Sequence, residues 1–109
     1  MSIRERIKAM SATMIANQPS PAVLSTFEVA LAGLLSPIND EVCSAEIAFR
    51  TAILAADSKT AAGKRQIAEA GPEFKRLLEA KATLESCDQM LRTCRSAIRL
   101  KTEELRMTR

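Results

Sequence analysis

The chain has no histidine, tryptophan or tyrosine, and only three phenylalanines and three glycines among its 109 residues. Without histidine it lacks the side chain most often used as a general base near neutral pH and as an imidazole metal ligand. The three cysteines, at 43, 87 and 94, form no C-x-x-C pair, which argues against a zinc site. On one helix Cys87 and Cys94 would stand ~10 Å apart, too far to bridge, and free thiols suit a reducing cytosol. Gly63-Lys64 lacks the upstream glycine of a phosphate loop and precedes Arg65 rather than a serine or threonine.

The carboxylates point the same way. Asp40 with Glu41, and Glu103 with Glu104, are adjacent in sequence and so fall on different helix faces. Glu85 and Asp88 do share a face, but Lys81 and Arg92 lie four residues to either side, the pattern of a solvated charge network. The expectation is a chain that is not an enzyme, with no catalytic residue, no cofactor, no metal and no small-molecule substrate.

Long uninterrupted apolar runs are also scarce. Residues 21–38 come closest, but they fall short of the ~20 needed for a span, carry Glu28 near the middle and are bracketed by prolines. The basic start at Arg4, Arg6 and Lys8 resembles a leader, yet Glu5, Ser11, Thr13, Asn17 and Gln18 interrupt the mildly apolar stretch around them. A soluble, cytoplasmic protein is expected (host cytoplasm if phage-encoded), with a small membrane-active lysis protein as a further alternative.

What the chain does contain is helix. It is rich in alanine and poor in glycine, and it has no alternating Val/Thr runs. Leu77, Leu84, Leu91, Ile98 and Leu105 recur every seven residues, with Ala80, Cys87 and Cys94 between them. Branched aliphatics alternating with small residues make the seam of a long helix docked closely on another. This last helix is predicted over 72–107, opened by Gly71-Pro72.

Upstream, Ile3, Ile7, Met10 and Met14 predict a first helix over 2–16. Ser20-Pro21 predicts a second to about residue 35, with Leu24, Phe27, Leu31, Leu34 and Leu35 on one side. Ser36-Pro37 repeats the start signal and predicts a third helix, with Asp40 and Glu41 in its first turn. That helix bears two apolar stripes. One is Ile38, Val42, Ala45, Phe49, Ala52 and Ala56; the other is Ile47 and Leu54. Two stripes imply two neighbours, the last helix on one and the second helix on the other, with Glu46 and Arg50 spaced to pair on the polar strip between. Residues 57–70 read either as a protruding arm or as a separate short helix.

The architecture expected is therefore one all-α domain over 1–109, a small helical bundle. It is built on a long antiparallel, coiled-coil-like helical hairpin over 37–109 with its turn near 71–72, and two short N-terminal helices over 1–36 pack on it. A regular hairpin would set Phe49 near Cys94 and Ala56 near Cys87, with Phe74, Leu77 and Leu78 joining Ile67 at the tip.

Function is then expected from surfaces. Met10, Met14, Leu24, Phe27, Leu31, Leu84, Leu91, Ile98 and Leu105 are the candidate protein interface, through which the chain would form a dimer or higher oligomer or dock on a larger assembly. Small cofactor-free helical chains of this type serve as bacterial or phage accessory, structural or inhibitor proteins. Net charge is only +3 and the pI about 9.0, but the charge is uneven. Arg92, Arg95, Arg99, Lys101, Arg106 and Arg109 follow helical steps beside the leucine seam, an alternative surface for nucleic acid or an acidic partner. Arg4, Arg6 and Lys8 would join that stripe if the end of the last helix returns towards the start of the third.

Overall fold

The computed structural model describes residues 2–17 and 19–107. Among them are four helices and no strand: α1 (Ile3–Asn17), α2 (Pro21–Ala55), α3 (Ala61–Glu69) and α4 (Pro72–Met107). The all-α expectation holds. Each start has a local cause. Ser2 and Glu5 cap α1 reciprocally, each backbone N–H donating to the other's side chain at 3.3 and 3.2 Å. The Ser20 hydroxyl accepts from the Val23 amide, and Pro21 takes the first position of α2.

The expected boundary at Ser36-Pro37 is absent, so the two short N-terminal helices over 1–36 are corrected: α2 is one helix of 35 residues with Pro37 inside it. Proline removes one amide donor and crowds the carbonyl four residues back, a cost of ~3 kcal/mol or more. Here that residue is Gly33, exposed like Pro37 and with open space where a Cβ would point, so the freed carbonyl lies on the wet side. On the dry side, Leu31, Leu34, Ile38, Val42, Ala45 and Phe49 continue in three- and four-residue steps across the proline. Burying Leu31, Leu34 and Ile38 at ~1.5–3 kcal/mol each favours keeping that phase.

Contacts divide the chain into two compact units, Met1–Ser36 with Glu85–Arg109, and Pro37–Leu84. In the first unit the buried side chains are Ile7, Leu24, Leu31, Leu34, Cys87, Leu91 and Cys94. The Cys87 thiol donates to the Leu31 carbonyl at 3.4 Å, Cys94 Sγ lies 3.6 Å from Met14 Sδ, and Arg95 pairs with Glu28 at 3.0 Å. Burial pushes both thiols up from their ordinary pKa, reinforced by Asp88 at Cys87 and by Glu28 at Cys94.

In the second unit Ala45, Phe49, Ala68, Leu77 and Ala80 form a buried cluster, with Val42, Ala52, Ile53 and Phe74 packed against it. The Phe49 and Phe74 rings are 5.0 Å apart and tilted by 36°. Outside the cluster, Arg76 donates to both Glu41 oxygens at 2.7 and 3.1 Å and to Ser44. This forked contact holds the Glu41 carboxyl below its ordinary pKa.

Residues 57–70 form neither an arm nor a continuation of α2. Thr60 caps α3, its hydroxyl accepting from the Gly63 amide at 3.0 Å. Gly63 suits that position, because a Cβ would come within 2.1 Å of the Ser58 hydroxyl and 2.9 Å of the capping Thr60 hydroxyl, which would have to shift. The insertion of α3 also corrects the register. In each unit higher numbers on α2 meet lower numbers on α4, but the pairing is centred on about residue 60, from Glu28–Arg95 to Glu41–Arg76. Phe49 therefore meets Phe74 and Leu77, not Cys94, while Cys87 meets Leu31, not Ala56. Ala68 takes the inward place on α3, and Ile67 and Leu78, expected in the tip cluster, are exposed.

Candidate interaction surfaces

The two stripes on α2 have opposite fates. Ala45 and Phe49 are 0% and 7% exposed, whereas Ile47 and Leu54 are 66% and 77% exposed. The neighbour expected over Ile47 and Leu54 is a separate second helix, and that segment is the same helix as the stripe itself. Cys43, also exposed, lies one turn before Ile47 on the same line.

Of the residues expected at a protein interface, Leu24, Leu31 and Leu91 are buried and serve the chain's own packing. Met10, Met14, Phe27, Leu84 and Ile98 are half-buried. Along the seam of α4, Leu77, Ala80, Cys87, Leu91 and Cys94 are buried, whereas Leu105 is 59% exposed. Ile47 and Leu54 are legible as a stripe in the sequence, but nothing in it signals that they face outward.

The basic stripe is partly engaged. Arg95 is held by Glu28, and the Lys101 ammonium donates to the Pro19 carbonyl. Arg92, Arg99 and Arg106 are exposed and form no ion pair among the described residues; Arg109 lies outside them. Arg4 and Lys8 stand on α1 across from Gln89 and Thr93, the turn of α4 that carries Arg92. They line a groove of about 310 Å³ in the first unit, whose floor is Ile7 and Met90 and whose far wall carries Ser86, Gln89 and Thr93.

A second groove, of about 290 Å³, opens in the other unit. Phe49, Ile53, Phe74 and Leu77 make its apolar floor, and its rim carries Arg50, Arg65, Lys81 and Glu46. No ion pair joins Glu46 to Arg50 among the described residues, contrary to their four-residue spacing; Arg65 pairs with Glu69 at 2.9 Å. Among the described residues no three His, Cys, Asp or Glu side chains gather to hold a metal ion.

α2 is also the one described helix long and apolar enough to cross a membrane, with a mean hydropathy of 1.5 over its most apolar stretch. Continuity through Pro37 removes the shortness argued for residues 21–38. The mostly buried core helix of a soluble bundle passes the same test; here Leu24, Leu31, Leu34 and Ile38 are buried against this chain, but only 22% of that apolar stretch is. No family model matches the sequence, and no curated protein or solved structure matches it.

Proposed function

We propose that the chain is a non-enzymatic, cytoplasmic protein–protein interaction module, built on a coiled-coil-like antiparallel pairing of α2 with α4. It works as a homo-oligomer or docked on a larger assembly, in the manner of a bacterial or phage accessory protein. The observation that carries this is the stripe of Ile47 and Leu54, two large aliphatics one heptad apart on a well-formed helix and left largely exposed by the described residues. Sedimentation of the full chain tests it. The expected result is a mass above the 11.9 kDa of one chain, or capture of a partner, that Ile47→Glu/Leu54→Glu abolishes while helicity is unchanged. A single-chain mass with partner capture indifferent to the double variant contradicts it.

A second reading has its own support, the exposed Arg92, Arg99 and Arg106, which form no ion pair among the described residues. With Arg95 and Lys101 engaged, about three phosphates would be neutralised, giving a log–log salt slope of about −3 for a nucleic-acid probe. No shift of single- or double-stranded probes at low salt removes this alternative. The membrane-active reading loses if the chain stays in solution without detergent.

A further inference from the structure

We infer that the groove of the second unit is a binding site for a small organic anion, an apolar or aromatic body bearing one phosphate or carboxylate group. Three features of the site together point to this chemistry.

The first is convergence. Arg50 comes from α2, Arg65 from α3 and Lys81 from α4, so three cations far apart in sequence are brought to one rim by packed helices. A rim built on helix rather than loop fixes where the three side chains are rooted, and the apolar walls below raise the local potential felt by an anion.

The second is availability. Arg50 and Lys81 form no ion pair among the described residues, and Arg65 is occupied only by Glu69, an exposed partner four residues away. Such exposed pairs contribute little and leave most guanidinium donors unused, so Arg65 can turn to a ligand. Planar arginine forks match the oxygens of phosphate or carboxylate.

The third is the floor. Phe74 is half-buried beside Phe49, so an apolar ring laid in the groove would cover aromatic surface that the chain itself leaves partly wet. The groove is open to solvent, and its volume of about 290 Å³, just below the usual range of ligand sites, leaves room for one ring and its anionic group rather than a dinucleotide. Glu46 is the single carboxylate on the rim and opposes the ligand's charge.

The probe is phenyl phosphate, titrated into the full chain and followed through the amide and ring signals of Phe49 and Phe74. Inorganic phosphate and phenyltrimethylammonium serve as comparisons. Saturable shifts are expected for phenyl phosphate, with an affinity at least tenfold above that of inorganic phosphate. Arg50→Glu and Lys81→Glu, both at exposed positions, should each weaken it about tenfold with the helical signal intact. Glu46→Gln should tighten it severalfold, an effect that loss of structure cannot imitate. Equal affinity for phenyl and inorganic phosphate, preference for phenyltrimethylammonium, or weakening by Glu46→Gln would each overturn the assignment.

Discussion

Within the second unit α2 carries two apolar stripes made of similar residues on the same turns, and only one has a neighbour. Ala45 and Phe49 meet Ala68, Leu77 and Ala80, where small residues on three helices let Phe49 fill the space between them. Ile47 and Leu54, two and five residues further along the chain than Ala45 and Phe49, face outward. The difference teaches that helical periodicity fixes the direction of a stripe but not what lies over it. What lies over it depends on how many separate helices the chain makes, and that is decided at Pro37.

The largest contrast between the stripes is energetic. Phe49→Ala should cost about 3–5 kcal/mol of unfolding free energy. Leu54→Ala, measured at a concentration where the mass is that of one chain, should stay within about 0.5 kcal/mol. Equal costs in denaturant titration would mean that the outer stripe is covered after all.

Enlarging each stripe sharpens the comparison. Ala45→Leu overfills the core and should destabilise by about 1–3 kcal/mol. Cys43→Leu extends the outer stripe into open space, so it should leave monomer stability unchanged while strengthening self-association in sedimentation.

The thiols read out the same inside–outside division. Cys43 is expected to react with an alkylating reagent in the folded chain, and Cys87 and Cys94 only on unfolding. Because burial raises their folded pKa, Cys87 and Cys94 contribute stability that is complete below the unfolded thiol value of about 8.5 and fades as pH climbs towards the folded one. Replacing both by alanine should flatten that alkaline decline in thermal melts.

The smallest effect belongs to the exposed Glu41–Arg76 contact. Its lowered Glu41 pKa gives stability present above the unfolded glutamate value of about 4.3 and lost as pH falls through the folded value. Glu41→Gln should therefore reduce stability slightly at neutral pH and converge with wild type in acid.

Much of this is legible in the residues. Ile3 to Met14, Ser20-Pro21 and the heptads opened by Gly71-Pro72 place α1, the start of α2 and all of α4. The continuity at Ser36-Pro37 is hidden because a serine–proline start signal competes with an apolar phase that runs unbroken from Leu31 to Phe49. α3 is ambiguous because its single buried residue, Ala68, carries no periodic signal, and its cap at Thr60 depends on a glycine that lies close to Ser58. The rim of the second groove is not legible at all. Glu46, Arg50, Arg65 and Lys81 span three helices, and only the shifted α2–α4 register brings them together.

The continuity of α2 is tested most directly by backbone 13Cα chemical shifts from Gly33 to Asp40. Helical shifts running without interruption through Ser36 and Pro37 are the predicted result. Coil values at Leu35 with a capping shift at Ser36 would mean two helices, a stripe free to find its neighbour inside the chain, and no bare face for a partner to cover.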